Sequence, residues 1–290
     1  MDKIHNKEIS ARAKHYFLSR FRGVYGENAN WDKIVSDTLS AERAREQMRL
    51  LLKITGMRPQ DMPRKKLLEI GSGFALFIAM CRTEYLMDAY GIEPDEETAG
   101  IAKLILKQCS LNEDSIVHGN GENLPYADET FDFVYSTNVL EHVSDPEKTL
   151  HEAVRVLKKG GILQFVVPNY NSFFEGHYGL LWCPFFTKKT AKAYVSLLRR
   201  NPSYIDTLQF ITPQKVRNTL KKIDAIEVLS WGKDIFEDRV RNLNFSEWAF
   251  LDKVKSLVKL IHKLKLTKMV IHASRRFDWY TPIILTLRKK

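Results

Sequence analysis

The hydrophobic positions between residues 66 and 168 fall into short apolar runs separated by amphipathic stretches. The apolar runs predict five buried strands, at residues 67–70, 89–93, 115–119, 131–137 and 162–167. The stretches between them predict helices, at residues 74–83, at residues 95–108 and from Asp145-Pro146 to Gly160-Gly161. Strands that alternate with helices in this way are typical of a parallel sheet with helices on both faces.

Segments of a different character flank this alternation. Two helices are predicted ahead of it, at residues 8–22 and 40–54. After Pro168, the irregular segment 170–186 holds seven aromatic residues, and further helices are predicted to begin at Thr187 and at Thr212-Pro213. Two closing strands are predicted at residues 223–231 and 281–289. The roughly 50 residues between these two strands form an insertion of a length that is usually functional.

The charge distribution adds a feature that the hydrophobic pattern does not show. Hydrophobic residues make up 44% of the chain and charged residues 28%, which are globular proportions and exclude a disordered or fibrous protein. Residues 251–290 hold eleven Lys and Arg against two Asp, so nearly all of the net charge of +10 lies there. Such a patch is typical of a solvated helix face, or of a surface that meets a phosphate-bearing substrate, an anionic membrane or RNA. Its confinement to one end argues against a nucleic-acid groove across the fold.

Cysteine usage and the chain ends indicate the compartment. Three widely spaced cysteines, Cys81, Cys109 and Cys183, exclude a disulfide framework and a CxxC zinc pair. The first ten residues contain no apolar core, so we expect no secretory signal. No run of about 18 apolar residues is present to span a membrane. We therefore predict a cytoplasmic protein.

A glycine turn, Gly71-Ser72-Gly73, joins the first strand to the first helix of the alternation. Such a turn lets the backbone approach a ligand, and the N-terminus of the helix points at that ligand. A dinucleotide site needs a small residue at the sixth position of the motif, which is Leu76 here. The carboxylate of Glu69 would also repel a pyrophosphate. It favours instead a ligand that carries an ammonium and a sulfonium.

The next two strands also end in polar residues. Glu93 ends the second strand, and its carboxylate could accept hydrogen bonds from both hydroxyls of a ribose, each worth about 1.5–3 kcal/mol. Asn120 follows the third strand, and its amide could pair with the edge of an adenine. Because the carboxyl ends of parallel strands meet at one edge of a sheet, we expect these side chains to line one ligand site.

Four segments, EIGSGFA, GIEPD, GNGENLPYADETFDFVYSTNVLEHV and LKKGGILQFVVPN, resemble the successive motifs of the class I S-adenosylmethionine-dependent methyltransferases of type 11. The resemblance covers roughly residues 64–170 and implies S-adenosylmethionine as the cofactor. It assigns the methionine part to Glu69, Gly71 and Gly73, the ribose to Glu93, the adenine to Asn120 and Gly121, and the methionine side after the fourth strand to Ser136 and Asn138. Ser72, Pro94 and Glu122 complete the predicted cofactor site. Two positions depart from the family pattern, Ala75 for the third glycine and Asn120 for the usual aspartate.

Methylation of a hydroxyl or an amine also removes a proton, and a base could add about 10²–10⁴-fold to the rate. We predict His142, Glu141 and His177 as catalytic residues, with Glu175 as a further candidate. His142 ranks first because it lies where a substrate would approach the methyl group, although a structural histidine at a helix start has the same signature. The segment NVLEHV also resembles the ubiquinone-pathway O-methyltransferases, whose matching acids and histidine bind a divalent metal. The first of those acids is Asn138 here, so we predict no metal.

Two further segments bear on the acceptor. The aromatic segment 173–182 could stack on sugars or planar rings, or could simply roof the cofactor pocket, and it resembles bacterial surface-glycan methyltransferases. A helical wheel places one set of apolar residues opposite three lysines: Leu251, Val254, Leu257, Val258, Leu260, Ile261 and Leu264 against Lys255, Lys259 and Lys263. Such a helix either packs on its own domain or lies in a membrane interface. We predict peripheral contact with the inner membrane face through residues 251–272.

Together these features predict a single α/β methyltransferase domain over residues 1–290, with a Rossmann-like, seven-stranded, mostly parallel sheet whose last strand is antiparallel. Its predicted parts are a helical N-terminal cap (1–63), the cofactor-binding core (64–169), an aromatic substrate insert (170–211), the end of the core sheet (212–231 and 281–290) and a basic helical insert (232–280). The predicted activity is methyl transfer to oxygen of a small molecule or a glycan, lipid-linked glycans included. The alternatives are an RNA or protein methyltransferase that uses the basic region, and a non-catalytic regulatory protein that binds the cofactor.

Overall fold

The computed structural model describes residues 6–26, 29–243 and 252–290. In chain order its strands are β1 (Lys66–Ile70), β2 (Asp88–Glu93), β3 (Ile116–His118), β4 (Phe131–Thr137), β5 (Leu157–Val167), β6 (Phe174–Glu175), β7 (Leu180–Leu181), β8 (Ile226–Ser230) and β9 (Ile283–Lys289). Seven of them form one sheet in the order β3-β2-β1-β4-β5-β9-β8, and β6 and β7 form a separate hairpin. In the large sheet β9 runs antiparallel to both β5 and β8, and the other pairs are parallel. The predicted sheet is confirmed.

The helices cover both faces of this sheet. They are α1 (Lys7–Tyr25), α2 (Trp31–Thr38), α3 (Ala41–Thr55), α4 (Leu76–Glu84), α5 (Glu96–Gln108), α6 (Pro146–Val156), α7 (Lys188–Leu197), α8 (Pro213–Leu220), α9 (Lys233–Asn242), α10 (Asp252–Lys263) and α11 (Thr267–Phe277). The predicted starts of α6, α7 and α8 are confirmed, because Asp145, Thr187 and Thr212 each accept a hydrogen bond from the backbone N–H three residues ahead. The helices α2, α9 and α11 and the β6–β7 hairpin were not predicted as separate elements.

The boundary between α6 and β5 differs from the prediction. The helix ends at Val156 and β5 begins at Leu157, so Gly160-Gly161 lies inside the strand and does not cap the helix. Leu157 pairs with Phe131, and the next pair joins Ile162 to Phe133. Residues 158–161 therefore bulge out opposite one residue of β4. Gly160 has a φ of 75°, and this left-handed conformation, which glycine adopts at little cost, lets the bulge form.

Two apolar layers hold the helices to the sheet. On one face, Leu150 of α6 and Val216 of α8 pack against strand residues that include Leu68 and Phe165. On the other face, α3, α4 and α5 pack on Leu67, Phe133 and Tyr135. Burial of these side chains supplies the main favourable term for folding. Because β1, β2, β3 and β4 run parallel to one another, they end at the same edge of the sheet.

The N-terminal helix and the insert after β5 form the wall above that edge. Phe74, which follows the glycine turn, packs against Ile9 and Ala13 of α1, and Arg20 of α1 forms an ion pair with Asp95. The end of α1 also joins the core of the insert, where Val24 packs with a set of buried residues that includes Tyr170, Tyr178 and Trp182. The three cysteines are free thiols. No helix in the described part of the chain is both long and apolar enough to cross a membrane.

Candidate active site

The glycine turn after β1 leaves open space beside it. Gly71 and Gly73 have φ values of 70° and 53°, which glycine adopts without a steric cost. The backbone N–H groups of Gly71 and Ser72 donate to the carbonyl of Ile92, which fixes the turn to the end of β2. A Cβ atom built on Gly73 would meet no atom within 4 Å. A ligand can therefore approach the backbone of Gly73 closely.

Glu69 is buried two residues ahead of Gly71, and one of its oxygens has no hydrogen bond to compensate its burial. Its Oε2 and the hydroxyl of Ser72 lack a hydrogen-bond partner among the residues that the structure describes. Burial and then the nearby Glu93 raise the pKa of Glu69 well above its ordinary value, although Arg43 opposes them. A buried acceptor without a partner costs free energy. The ammonium of a ligand would supply the missing donor, so this pocket fits the methionine part of S-adenosylmethionine.

Glu93 connects the end of β2 to the glycine turn. Its Oε2 accepts from the Gly73 N–H at 2.9 Å, and its Oε1 accepts from the Asp95 N–H at 3.1 Å. Burial raises the pKa of Glu93, and these two hydrogen bonds lower it in part. A carboxylate oxygen has room for a second donor, so both oxygens can still accept from ribose hydroxyls. The sequence predicted the ligand role of Glu93 but not its contact with Gly73.

The predicted adenine residues differ in their surroundings. Asn120 is exposed beyond β3, whereas Gly121 is buried, with Thr149 Cγ2 only 2.9 Å from where its Cβ would lie. The carbonyl of Pro94 accepts a hydrogen bond from His118 Nε2 at 3.0 Å, which joins the ends of β2 and β3.

Glu122 turns away from this group. Its Oε1 accepts from the Ser144 N–H at 2.7 Å and from the Asp145 N–H at 3.3 Å. These contacts hold the loop that leads into α6, and sequence reasoning did not find this role.

The loop after β4 lies directly against the glycine turn. Ser136 donates its hydroxyl to the carbonyl of Ile70 at 2.9 Å, which joins the ends of β4 and β1. Asn138 is exposed and has a φ of 53°, so the chain turns there. A Cβ atom on Gly71 would lie 2.2 Å from Val139 Cγ2, which shows how closely the two segments meet. The residues that follow are thereby held at the same sheet edge as Glu69.

Glu141 and His142, at the end of that loop, meet the insert in a compact polar cluster. His142 Nε2 lies 3.1 Å from His177 Nε2, and His177 Nδ1 lies 2.6 Å from Glu175 Oε1. Glu141 Oε1 lies 3.6 Å from His177 Nε2 and 3.9 Å from His142 Nε2. We call Glu141, His142, Glu175 and His177 the histidine cluster. It unites the three residues predicted as catalytic with the further candidate Glu175.

Burial and mutual charge separate the titration behaviour of the cluster. Burial raises the pKa of Glu141 to about 7, opposed by His177, and neither of its oxygens has a hydrogen-bond partner within the described ranges. Burial and the like charge of His177 lower the pKa of His142 to about 4. Burial alone would lower the pKa of His177, but the Glu175 carboxylate raises it overall. Burial opposes ionisation of Glu175 too, yet His177 holds its pKa below the ordinary value.

The cluster also has the dimensions of a metal site. One ligand atom from each of Glu141, His142 and His177 lies within 4.8 Å of the others, a spacing that could hold a metal ion. Asn138, which replaces the first acid of the metal-binding pattern, is exposed. The absence of a metal stays a prediction.

Aromatic rings that sequence reasoning missed stand beside the cluster. The Tyr204 ring lies 5.6 Å from the His177 ring and 6.2 Å from the His142 ring, measured between centroids. Phe21 of α1 lies 5.9 Å from Tyr204, so the N-terminal helix reaches the cluster through this tyrosine. Tyr204 belongs to no motif and lies far from His142 in sequence, so no local pattern could have indicated it.

The matched family model and the similar proteins agree with this site. Residues 68–165 match the family described as a methyltransferase domain. A demethylmenaquinone methyltransferase of Bacillus mycoides is 34% identical over 110 residues, which is 36% of this chain and 46% of the relative. An uncharacterized protein of Mycobacterium tuberculosis is 29% identical over 167 residues, which is 54% of this chain and 55% of the relative. The chain thus spans about half the length of these curated relatives.

A solved structure extends the similarity of fold to nearly the whole chain. It is that of a putative sarcosine dimethylglycine methyltransferase from Galdieria sulphuraria, with a TM-score of 0.51 and 14% identity, and it covers 96% of this chain and 98% of its own. At this identity the likeness concerns the fold alone. With the motifs, the sheet order and the matched family model, it leads to one assignment. Residues 68–165 form a methyltransferase domain.

Proposed function

We propose that this protein transfers the methyl group of S-adenosylmethionine to an oxygen of a small-molecule or glycan acceptor. The observation that carries the proposal is the buried carboxyl of Glu69, which lacks a partner for Oε2 and stands beside the open glycine turn. A cationic ligand is the partner that this carboxyl fits. The cofactor supplies a methyl group already activated on sulfur, so the protein has mainly to bind and align the reactants.

Each part of the cofactor has a proposed contact in the described site. Glu69 binds the ammonium, and Gly73 leaves room for the chain of the methionine part. Glu93 accepts hydrogen bonds from the ribose hydroxyls, while Asn120 and Gly121 border the adenine. Ser72 can add its free hydroxyl to the same pocket.

The histidine cluster is the proposed acceptor side of the site. It follows the loop whose Val139 contacts Gly71, so it stands next to the methionine end of the proposed cofactor pocket. His142 is the member that reaches solvent most, with about a third of its side chain exposed against 14% for His177. We therefore assign the contact with the acceptor to His142. A base in this position would contribute about 10²–10⁴-fold to the rate.

The insert favours an acceptor with a flat ring or a sugar face. Tyr178 and Trp182 are buried in the insert's own core, so they support the wall and do not receive an acceptor. Tyr204 is half-buried beside both histidines and offers a ring to the cleft. Tyrosine combines an apolar face with a polar tip, a combination that suits sugars and quinone-like rings alike.

Peripheral membrane contact is a second part of the proposal. The stretch 259–276 contains six Lys and Arg and no acid. Val258 and Ile271 pack on Val240, but Leu264 and Met269 are 56% and 61% exposed, so the apolar residues are only partly used in packing. Basic helices with exposed apolar residues bind anionic membrane surfaces. Leu251 lies outside the described residues, as do the side chains of Val254 and Leu257.

Cofactor binding and methyl transfer can be tested one after the other. Calorimetry should detect uptake of S-adenosylhomocysteine by the wild-type protein, and weaker uptake by Glu69→Gln, with Glu227→Gln on β8 as the matched control. Methyl-labelled S-adenosylmethionine with fractionated cell extract should then label small molecules or lipid-linked glycans. Label in RNA or protein would favour the basic region as a macromolecular site. Binding without any label would favour a regulatory protein, and no binding at all would overturn the proposal.

A further inference from the structure

We propose that His142 and His177 form a two-histidine proton relay, in which His142 takes the proton of the acceptor and His177 stores it, positioned by Glu175. The inference deepens the proposed methyl transfer and rests on it. The relay needs three contacts in series: acceptor to His142, His142 to His177 and His177 to Glu175. The last two are described in the structure, at 3.1 Å and 2.6 Å.

Glu175 fixes the state of the His177 ring. Its Oε1 lies 2.6 Å from His177 Nδ1, and its Oε2 accepts from the Tyr178 N–H at 2.7 Å. A carboxylate held in this way can only accept, so Nδ1 of His177 must carry the proton. The Nε2 atom of the neutral ring is then an acceptor. It faces His142 Nε2 at 3.1 Å, and that atom must therefore be the donor.

The position of the proton on His142 sets the direction of the relay. With Nε2 of His142 protonated, its Nδ1 is the free acceptor, and Nδ1 forms no hydrogen bond within the part of the chain that the structure describes. In the transfer, the acceptor oxygen bonds to the methyl carbon and the carbon–sulfur bond breaks, with its electron pair left on sulfur. The acceptor proton moves to Nδ1 of His142, and the proton on Nε2 of His142 moves to Nε2 of His177. His142 ends neutral, and His177 ends as an imidazolium beside the Glu175 carboxylate.

The carboxylate of Glu175 favours storage of the proton on His177, because it contacts that ring directly. Glu141 Oε1 lies 3.6 Å from His177 Nε2 and 3.9 Å from His142 Nε2, so it hardly distinguishes the two rings. Tyr170 on the same side points its hydroxyl at Glu175 Oε1, 3.4 Å away, and Tyr204 adds only a neutral ring. A cation on the inner ring therefore lies in direct contact with a carboxylate, whereas the carboxylate oxygen beside the outer ring is 3.9 Å away.

The arrangement can be measured without acceptor or cofactor. Nitrogen-15 NMR of histidine-labelled wild-type protein, which has eight histidines, should show His177 protonated at Nδ1 and His142 protonated at Nε2 at a pH above the titration of both rings. As the pH is lowered, the His177 ring should gain its second proton before the His142 ring does. The resonances are assigned with His142→Gln and His177→Gln, and the exposed His151→Gln serves as the matched control. A neutral His177 ring that carries its proton on Nε2, or no contact between the rings, would overturn the relay even if cofactor binding is intact.

The second experiment measures methyl transfer. It uses the extract fraction that the wild-type protein labels as the acceptor. Residues that act as one unit give non-additive losses. We therefore expect His142→Gln, His177→Gln and the double variant to lose activity to the same extent, about 10²–10⁴-fold. Glu175→Gln should reduce turnover without weakening S-adenosylhomocysteine binding. Losses that multiply in the double variant would overturn the relay. Activity that is lost with a chelator and restored by a divalent ion would do so too, because the two Nε2 atoms would then be ligands.

Discussion

Glu69 is the residue where binding and stability are most clearly opposed. Its carboxyl is buried with Oε2 unpartnered among the described residues, and its pKa is raised well above its ordinary value of 4.5 by burial and then by Glu93. An acid whose pKa is raised on folding binds more protons in the folded state than in the unfolded state. Its contribution to the free energy of unfolding therefore falls as the pH rises above about 4.5. Natural binding sites often carry such a cost.

Replacement of this carboxyl should therefore stabilise the ligand-free protein and weaken ligand binding. We expect Glu69→Gln to raise the free energy of unfolding of the ligand-free protein at pH 8, with a smaller gain at pH 5. The same change should weaken S-adenosylhomocysteine binding about 10- to 100-fold, since a hydrogen bond to a charged group contributes about 1.5–3 kcal/mol. Urea unfolding at the two pH values and calorimetry measure the two effects.

Glu227→Gln, at an exposed ion pair on β8, should change neither quantity appreciably. Calorimetry in buffers of different ionisation enthalpy adds a direct check, because wild-type protein should release a proton from Glu69 when the ligand binds. A Glu69→Gln protein that is less stable at pH 8 and binds normally would show that the carboxyl is structural.

The two glycines of the turn offer a matched pair of substitutions. Both have positive φ, so alanine costs about 1–2 kcal/mol of backbone strain at either position. At Gly71 the new methyl group would also lie 2.2 Å from Val139, and overpacking adds about 1–3 kcal/mol. At Gly73 it would enter open space.

We therefore expect Gly71→Ala to lower the stability more than Gly73→Ala, which should keep the fold but weaken cofactor binding. Thermal unfolding and calorimetry on the two proteins decide between these effects. Normal binding by a folded Gly73→Ala protein would place the ligand elsewhere.

At the scale of elements, the sequence was informative wherever a signal was local. The strands β1 to β5 are apolar runs bounded by turn residues, and the caps Asp145, Thr187 and Thr212 each bond to a backbone N–H only three residues away. The short helix α2 and the two-residue strands β6 and β7 carry too few residues for a period to show. The prediction of the α6–β5 boundary was wrong because a Gly-Gly pair such as Gly160-Gly161 is typical both of a helix end and of a bulge.

The histidine cluster shows the same limit at a site. The proximity of Glu69, Glu93 and Gly73 could be predicted from the sequence, because each stands at a fixed offset from a strand end. His142 and His177 are separated by 35 positions and meet only through the folded insert. Sequence spacing does not encode side-chain directions. The contact of Glu175 Oε1 with His177 depends on such directions, and so do the hydrogen bonds by which Glu122 holds a loop and Ser136 joins two strands.

Asn169, just ahead of the insert, joins the end of β5 to the segment that precedes the last strand of the sheet. Its buried Nδ2 donates to the carbonyls of Asp278 at 2.8 Å and Tyr280 at 2.6 Å. Asn169→Asp keeps the shape but removes both donors, and it leaves buried carbonyls facing a carboxyl. We expect a loss of about 2–4 kcal/mol in the free energy of unfolding, since an unsatisfied buried group costs about 1–3 kcal/mol.

The urea midpoint measures this loss, and Asn218→Asp on the exposed face of α8 is the control. An unchanged midpoint for Asn169→Asp would mean that the insert and the approach to β9 are stabilised independently of each other.

For the whole molecule, the distribution of charge and exposed apolar surface is more informative than the net charge. The basic stretch 259–276 continues into an aromatic group in which Trp279 lies 4.7 Å from Phe277 and 4.9 Å from Phe173, and Arg276 stands over the Phe277 ring. Phe173 opens the insert that also carries Glu175 and His177. A membrane bound at this surface would therefore lie on the same side of the fold as the acceptor insert.

Charge neutralisation tests this orientation quantitatively. Each lysine near an anionic surface contributes about 1 kcal/mol, so Lys263→Gln with Lys268→Gln should lower partitioning onto vesicles that contain phosphatidylglycerol by about 30-fold. Co-flotation at physiological salt measures this, with Lys103→Gln and Lys107→Gln on α5 as the matched control pair.

Phe277→Ser should lower partitioning further, since it removes apolar area and leaves the charge unchanged. Vesicles of phosphatidylcholine alone should not retain the wild-type protein, because the attraction depends on anionic lipid. If both lysine pairs caused the same loss of partitioning, the attraction would depend on net charge and not on this surface. If the wild-type protein did not co-float with anionic vesicles, the proposed membrane contact would be wrong. The acceptor of the same site would then be a soluble molecule.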